Sequence, residues 1–301
     1  MGLRIGVDLG GTKIEAAALD AAGRIALRRR AATPVGRYDA TVQTIAELVE
    51  SLEAELGANA SVGVATPGAR SLVDNRIKNS NSIALNGRAL KEDLERRLKR
   101  EIRMANDANC FALSEAIDGA ARGASNVFGV ILGTGVGGGI VIDGRIVTGA
   151  NAIAGEWGHN PLPSPQAGDH PLPPCYCGRR GCIETYLSGP GLTADFAGSD
   201  GETLDASEIA RRAEHGDPKC AAAMDRYQLR LARSLASIIN VLDPDVIVLG
   251  GGLSNVRLLY ANLPVRCREF VFSDDMRTRI VPPMHGDSSG VRGAAWLWDS
   301  N

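Results

Sequence analysis

The fold is decided by two stretches, IGVDLGGT at residues 5–12 and FGVILGTG at residues 128–135. Each is an apolar run of strand length that ends in glycines. Two further short strand patterns follow each run, separated by Ala22-Gly23 in the first case and by Asp143-Gly144 in the second. Because the same pattern returns midway along the chain, we predict two lobes related by duplication.

The rest of the chain alternates between helical and strand patterns, which predicts an α/β fold. Helical patterns cover residues 38–56, about 88–100, from 107 onward, 206–214, 218–240 and about 289–298, and strand patterns cover 61–66, 101–105 and 245–249. The Pro-rich residues 160–174 are predicted to form a long surface loop without regular structure.

Composition and charge narrow the function classes. The chain has 301 residues, of which 44% are hydrophobic, and its formal net charge is −2, so no general attraction to nucleic acid or to an anionic membrane is expected. No apolar run reaches the roughly 18 residues of a membrane span, and the first strand begins without a signal-peptide pattern. We therefore expect a cytoplasmic protein with no nucleic-acid or membrane partner. The run Arg28-Arg29-Arg30 is interpreted as a solvated strand edge.

Three glycine loops that directly follow apolar strands are candidates for phosphate binding. Backbone N–H groups can converge on an anion where no Cβ blocks its approach. The loops are Gly10-Gly11-Thr12-Lys13, the segment from Gly133 to Gly139, and Gly250-Gly251-Gly252. A tight turn is the alternative explanation for any one of them. Their placement in both lobes favours a nucleotide gripped in a cleft.

The middle loop also matches a different motif. Gly133, Gly135 and Gly138 satisfy G-x-G-x-x-G, the dinucleotide fingerprint, which requires a helix directly after the loop. The residues that follow, GIVIDGRIV at 139–147, have the pattern of a hairpin. A nicotinamide dehydrogenase is therefore disfavoured, and a Walker-type phosphate loop is absent as well.

Asp107 is the candidate catalytic carboxylate. Asn106-Asp107 lies between the predicted strand at 101–105 and the helix that follows. The structural interpretation is an N-cap, which satisfies orphan backbone donors. The functional interpretation places Asp107 at the carboxyl end of a strand, where α/β sheets bind ligands, as a base that accepts a hydroxyl proton during phosphoryl transfer. Both can hold, with Asn106 as the cap and Asp107 as the base.

A metal cluster is predicted from Cys175, Cys177 and Cys182, three thiols within eight residues. Structural zinc sites take four ligands, commonly three Cys and one His. His159 is the first candidate for the fourth ligand, and His170 in the Pro-rich loop is the second. Incidental thiols are the alternative explanation. A fully ligated zinc would tie the long loop to the core.

These features together resemble the ROK family, and the resemblance covers essentially the whole chain. The motifs that carry it are GVDLGGTK (6–13), NDANCFALSEA (106–116), GVILGTGVGGGIV (129–141), GEWGH (155–159), CYCGRRGCIE (175–184), DPDVIVLGGGLSN (243–255) and HGDSSGVRGAAW (285–296). The resemblance implies the two-lobed actin-like ATPase (ribonuclease H-like) fold, with duplicated lobes and a zinc-stapled loop. The N-terminal lobe is expected over residues 1–120 together with a returning helix at 289–301, and the C-terminal lobe over 121–288.

The resemblance also implies residue roles in an ATP-dependent hexose kinase. Asp107 matches the base that takes the proton from the C6 hydroxyl. The residues that match sugar contacts are Gly68, Asn81, Asn106, Asp107, Glu156, His159 and Glu184. Those that match contacts to ATP and its magnesium are Asp8, Gly10, Gly11, Thr12, Lys13, Gly133, Thr134, Gly135, Gly137, Gly138, Gly250, Gly251 and Gly252. Asp8 would lie near the Mg²⁺. His159 would bind zinc through one ring nitrogen and sugar through the other.

Within the family, NSNSIALNG at 79–87, Trp157 and Asn160-Pro161-Leu162-Pro163 are most similar to bacterial fructokinases that also accept mannose. We therefore expect phosphorylation of fructose to fructose 6-phosphate, with activity on mannose or glucose, in a homodimer or homotetramer whose lobes close over MgATP and sugar. An N-acetylglucosamine kinase or a glucokinase shares the same skeleton. Alternatives of another class are a non-catalytic sugar sensor and a transcriptional regulator. The early first strand leaves no room for the regulator's helix-turn-helix.

Overall fold

The structure is a computed structural model and describes residues 2–298. Its strands are β1 (Arg4–Leu9), β2 (Lys13–Leu19), β3 (Ile25–Ala32), β4 (Ser61–Thr66), β5 (Ala69–Arg70), β6 (Ile77–Lys78), β7 (Arg103–Asn106), β8 (Asn126–Leu132), β9 (Val136–Ile142), β10 (Arg145–Ile146), β11 (Val246–Gly250) and β12 (Arg279–Val281). Its α-helices are α1 (Tyr38–Leu56), α2 (Leu90–Leu98), α3 (Asp107–Ile117), α4 (Glu184–Leu187), α5 (Gly189–Asp200), α6 (Ala206–Glu214), α7 (Pro218–Leu242), α8 (Arg257–Cys267) and α9 (Ser289–Trp296).

Two five-stranded sheets repeat one topology. The first has the order β3-β2-β1-β4-β7 and the second the order β10-β9-β8-β11-β12. In the first sheet β1, β2 and β3 are antiparallel, whereas β4 and β7 continue the sheet in parallel from β1. In the second sheet β8, β11 and β12 are the corresponding parallel strands. The duplication predicted from the two opening stretches is therefore confirmed.

The described chain forms two compact units. The first contains residues 2–123, 139–154 and 287–298, and the second contains residues 124–138 and 155–286. Residues 139–154 thus lie with the first unit, although the predicted C-terminal lobe included them. Their backbone packs on α3 so closely that a Cβ on Gly139 would lie 2.5 Å from the Ala108 carbonyl oxygen. The lobe boundaries themselves stay a prediction, and residues 299–301 of the expected returning helix lie outside the described part.

The core of the first unit lies between its sheet and the helices α1 and α2. Side chains of alternate strand positions such as Ile5, Val7 and Val64 are fully buried, and Ile45 and Leu94 pack on them from the helices. The helical spacing that predicted α1 places its apolar stripe on this face. The basic run of β3, which was interpreted as a solvated edge, also forms ion pairs. Arg28 and Arg30 both pair with the buried Glu15.

Several elements were not predicted from the sequence. Helix α5 begins Gly189-Pro190-Gly191, which suggests a loop, yet Pro190 is tolerated in the first turn and the Ser188 hydroxyl caps the Gly191 N–H. Helix α8 and the short strands β5, β6 and β12 were missed as well. The Pro-rich loop is not wholly irregular, because it contains a 3₁₀ turn at Ala167–Asp169. No described helix combines the length and apolar composition that a membrane span requires.

Candidate functional site

In the first unit, the candidate carboxylates lie at one edge of the sheet. Strands β1, β4 and β7 are parallel, so their carboxyl ends meet at this edge, where α/β sheets bind ligands. The register pairs Asp8 with Ala65 and Ala65 with Ala105, and Asp107 follows two residues later as the first residue of α3. The topology therefore brings Asp8 and Asp107 to the same edge.

Asn106 is the N-cap of α3, as predicted. Its side-chain oxygen accepts hydrogen bonds from the N–H groups of Ala108 and Asn109, at 2.9 and 3.4 Å. Its amide nitrogen donates to the Gly68 carbonyl at 3.1 Å. Gly68 has φ = +80°, and a Cβ there would lie 2.8 Å from the Ser80 nitrogen. Asn106 thus joins α3 to the turn that carries Gly68.

Asp8 is half-buried and lies among charges of both signs. Burial, followed by the charges of Asp107 and Glu15, raises the pKa of its carboxyl from 3.8 to about 7, although Lys13 acts in the opposite direction. Helix α9 approaches so closely that a Cβ on Gly290 would lie 2.7 Å from an Asp8 oxygen. The negative charges of Asp107 and Glu15 make the ionised form of the Asp8 carboxyl unfavourable. Because a cation would offset this repulsion, the site is suited to binding one.

The glycine loop between β1 and β2 is open to solvent. Gly11, Thr12 and Lys13 are exposed, and nothing lies within 4 Å of a Cβ built on Gly11. Gly10 donates its N–H to the Lys13 carbonyl at 3.0 Å, which closes the turn. Asn81 and Gly11 both line a cavity of about 420 Å³ in this unit.

The second unit has a pocket of about 570 Å³ at the carboxyl ends of β8 and β11. Its lining consists of Leu132, Gly133, Thr134, Gly189, Pro190, Ala206, Ser207, Ala210, Arg211, Glu214, Gly252, Leu253, Asn255 and Val256. Gly251 has φ = +81°, and a Cβ there would lie 2.5 Å from the Leu132 carbonyl oxygen. The two predicted glycine loops of this unit therefore border one cavity, and a glycine is required where they touch.

Glu184 lies beside the tip of the β8–β9 turn. One of its carboxylate oxygens accepts a hydrogen bond from the Val136 N–H at 2.9 Å. A Cβ on Gly135 would lie 2.6 Å from the same oxygen. Two further glycines contact Trp157, because its indole N–H donates to the Gly137 carbonyl at 2.9 Å and its ring lies against Gly138. Trp157 is buried, so it serves packing rather than an open site.

Four predicted metal ligands converge in the second unit. One donor atom each from His159, Cys175, Cys177 and Cys182 lies within 4.8 Å of the others. The Cys177 and Cys182 sulfurs are 3.6 Å apart, and the Cys175 sulfur is 3.6 Å from His159 Nδ1. His170, the second candidate, does not belong to this group. Glu156 is an exposed residue three positions before His159.

The donor set fits a tetrahedral zinc ion. Zn–S bonds of about 2.3 Å at tetrahedral angles place two sulfurs about 3.8 Å apart, close to the 3.6 Å between the Cys177 and Cys182 sulfurs. The Arg179 backbone N–H lowers the pKa of the Cys177 thiol, whereas burial raises the pKa values of the Cys175 and Cys182 thiols. Three thiolates in this space require a cation, so the cluster is a candidate metal centre.

The Pro-rich loop between His159 and Cys175 is anchored by buried ion pairs that the sequence did not reveal. Asp169 accepts hydrogen bonds from Arg230 at 2.7 Å and from Arg233 at 2.8 Å, and Arg230 also reaches Asp195. Burial alone would raise the pKa of Asp169, but hydrogen bonds from the Gln166 N–H and the two arginines hold it below its ordinary value. The two arginines are 61 and 64 positions from Asp169 in the sequence, so no local pattern predicts the pairing.

Tyr176 is a further side chain that sequence reasoning missed. It lies between two predicted ligands, and its hydroxyl is 3.0 Å from His159 Nε2. Desolvation, followed by the charges of Glu184, Cys175 and Glu156, raises its pKa to about 12. Its position inside the Cys-x-Cys motif was the only available signal.

Comparisons with known proteins agree with this architecture. The ROK family model matches residues 4–301. The N-acetyl-D-glucosamine kinase of Photobacterium profundum is 44% identical over 97% of this chain and 98% of its own length. The ROK hexokinase structure from Thermus thermophilus superposes with a TM-score of 0.86 at 30% identity, covering 97% of this chain and 96% of that one.

A ROK glucokinase from Streptomyces griseus, solved with glucose and AMPPNP, has a TM-score of 0.79 at 28% identity, with coverage of 98% and 99%. These findings support the predicted actin-like ATPase fold and the coarse activity of an ATP-dependent sugar kinase. They do not support the predicted fructose preference. The chain belongs to the ROK family.

Proposed function

We propose that the chain is an ATP-dependent N-acetyl-D-glucosamine kinase that transfers the γ-phosphoryl group to the C6 hydroxyl. The observation that carries this proposal is the 44% identity to the Photobacterium enzyme over nearly the full length of both chains. It favours the N-acetylglucosamine alternative over the fructose preference expected from residues 79–87 and 160–163. Those segments do not identify the sugar, because a few side chains around the substrate decide among hexoses.

In the first unit, Asp107 is the proposed base. Its position at the carboxyl end of β7 suits a carboxylate that takes the proton as the sugar oxygen attacks phosphorus. Asn106, whose oxygen is used by the α3 cap, keeps its amide group for Gly68 and for a sugar hydroxyl. Asp8 would hold Mg²⁺. The exposed loop from Gly10 to Lys13 would bind the phosphates themselves.

In the second unit, Glu156, His159 and Glu184 are the proposed sugar residues. The pocket bordered by Gly133, Thr134 and Gly252 would receive the adenosine part of ATP. Its lining is mostly apolar and combines residues of the glycine loops with residues of α5 and α6. Gly251 packs against the backbone of Leu132, which lines that pocket, and Gly250 precedes it as the last residue of β11. His159, Cys175, Cys177 and Cys182 would hold a structural Zn²⁺, which when bound fixes the orientation of the His159 ring.

An apolar cavity in the first unit fits an N-acyl sugar. Asn81, a proposed sugar contact, lines the 420 Å³ cavity together with Val35 and Ile83, whose side chains are 76% and 82% exposed. When an apolar group of a ligand covers exposed aliphatic side chains, apolar surface is removed from water and binding becomes more favourable. We assign this cavity to the acetyl group of the substrate.

A pair of matched variants tests the cavity. Ile83→Ser should lower kcat/KM for N-acetylglucosamine several-fold more than for glucose, because only the former has the acetyl group. Leu72→Ser, which also replaces an exposed aliphatic side chain with serine but lies outside the cavity lining, should change neither. Equal losses for both sugars in Ile83→Ser would remove the cavity from the acetyl assignment.

The proposed reaction itself is tested by product analysis. Incubation with MgATP and N-acetylglucosamine should give one phosphate ester, located at O6 by coupling between phosphorus and the C6 protons in NMR spectra. Phosphate at O1, or hydrolysis of ATP without ester formation, would contradict the proposed function.

A further inference from the structure

The ring of His159 has two nitrogens with different surroundings. Nδ1 faces the cysteine cluster, 3.6 Å from the Cys175 sulfur, whereas Nε2 is 3.0 Å from the hydroxyl oxygen of Tyr176. With Nδ1 directed at a metal, the ring proton resides on Nε2, and this N–H donates to the Tyr176 oxygen. The nitrogen that the proposed function gives to the sugar is therefore already hydrogen-bonded.

Tyr176 has few other contacts that would hold it in place. Its side chain is 80% exposed, and its ring meets the His159 ring edge-on, with centroids 5.1 Å apart and planes at 86°. Among the described residues, His159 is the one hydrogen-bond partner found for its hydroxyl. An exposed phenol held by one hydrogen bond and one ring contact can turn away when a better acceptor arrives.

We propose that Tyr176 occupies the His159 Nε2–H in the sugar-free enzyme, and that a sugar hydroxyl displaces it on binding. This inference rests on the proposed role of His159 in sugar binding. A single N–H donates one strong hydrogen bond, so the Tyr176 oxygen and a sugar oxygen compete for it. The charges of Glu156 and Glu184, the other proposed sugar residues of this unit, also lie near the Tyr176 hydroxyl.

The competition predicts the direction in which Tyr176 changes the affinity for sugar. Breaking the Tyr176 hydrogen bond is a cost that every sugar pays before it gains the His159 contact. A hydrogen bond of this kind contributes about 0.5–1.5 kcal/mol net, which corresponds to about a two- to tenfold change in affinity. Tyr176 therefore weakens sugar binding and sets a threshold that only a well-fitting hydroxyl overcomes.

The test is calorimetric titration of the zinc-loaded protein with N-acetylglucosamine, without nucleotide. Tyr176→Phe should lower Kd about two- to tenfold, and Tyr176→Ala, which also removes the ring contact, should lower it at least as far. The KM for the sugar should fall in parallel while kcat, the KM for ATP and the zinc content stay unchanged. The control is Tyr38→Phe, which removes a hydroxyl that donates to Asp93 in the first unit and should leave Kd unchanged.

An unchanged or raised Kd in Tyr176→Phe, with zinc retained, would overturn the inference, since the hydroxyl would then be neutral or a direct sugar contact. If the wild-type protein binds a different hexose instead, the proposed substrate fails, and the same comparison with that hexose still decides the role of Tyr176. If no hexose binds to the wild-type protein, both the inference and the proposed function fail.

Discussion

Asp107 is the residue on which the proposed chemistry depends most directly. Asp107→Asn keeps the size of the side chain but removes its basicity, so kcat should fall by about 100- to 10,000-fold while sugar affinity changes little. Steady-state kinetics and sugar titration measure the two effects separately. Asp143→Asn, in the exposed β9–β10 turn, is the control and should behave as wild type. Activity of Asp107→Asn within tenfold of wild type would remove Asp107 from the base role.

Asp8 gives a prediction about pH. Its native pKa of about 7 lies above the ordinary 3.8, so between these values the native state keeps a proton that the unfolded chain has lost. Stability therefore falls as the pH rises from about 4 to 7. Asp8→Asn removes this pH-dependent contribution to the free energy of unfolding. Without Mg²⁺, the variant should melt at a higher temperature than wild type at pH 8 but at a similar one at pH 4. Its activity should be low at both.

Melting curves at several pH values, measured without nucleotide or Mg²⁺, check this expectation. A difference between Asp8→Asn and wild type that stays constant from pH 4 to pH 8 would show that the Asp8 carboxyl titrates normally. Asp143→Asn again serves as the control, because its side chain is exposed in a turn whose left-handed backbone asparagine readily adopts.

Some residue roles could be predicted from the sequence and others could not. Asn106 was predicted as a helix cap because Asn before an apolar helix has a local physical reason. Tyr176 was not singled out, because its hydrogen bond depends on how the Cys175–Cys182 segment folds back on His159. Trp157 entered the sequence analysis only through the similarity to fructokinases, and its burial against Gly138 assigns it to packing.

At the scale of elements, the segment from Cys175 to Cys182 is expected to depend on the proposed zinc ion. Cys177→Ser replaces a thiolate with a poor zinc ligand, so the purified variant should contain less zinc and unfold at a lower temperature. Elemental analysis and thermal melting measure both. Cys220→Ala, a change at a cysteine outside the cluster, should keep its zinc. Equal metal content in Cys177→Ser and wild type would contradict the zinc assignment.

The Pro-rich loop at residues 160–174, which precedes this segment, is held by the buried pairs of Asp169 with Arg230 and Arg233. Asp169→Ala leaves the buried Arg233 without a carboxylate and Arg230 with Asp195 alone, which should reduce the free energy of unfolding by about 3–5 kcal/mol. Asp275→Ala removes the partner of the exposed Arg277 instead and should cost less than about 1 kcal/mol. Urea unfolding compares the two. Losses of equal size would show that the Asp169 pairs do not anchor the loop.

Elements with a strong period were predicted well, as for α1, whose apolar residues recur at helical spacing, and β11, an unbroken apolar run. Helices α5 and α8 were missed because their sequences lack an amphipathic period and contain Pro190 or Pro264, so tertiary packing decides them. Element boundaries shifted by a few residues, as at β7, since neighbouring strands set where a short strand begins.

At the scale of the whole molecule, the duplicated sheets could be predicted from IGVDLGGT and FGVILGTG. A strand that ends in glycines before a hairpin is recognisable from neighbouring residues alone. The placement of residues 139–154 with the first unit did not follow, since the close approach of Gly139 to Ala108 is a tertiary contact. The sugar preference could not be predicted for a similar reason. The 420 Å³ cavity that Asn81 lines is built from three separate segments, at residues 9–11, 33–41 and 81–85.

The most direct test of the central claim is kcat/KM, measured through ADP release with MgATP, for N-acetylglucosamine, fructose, glucose, mannose and N-acetylmannosamine. The proposed function predicts the highest value for N-acetylglucosamine, by at least tenfold over fructose. A higher value for fructose, or no turnover with any of the five sugars, would contradict it.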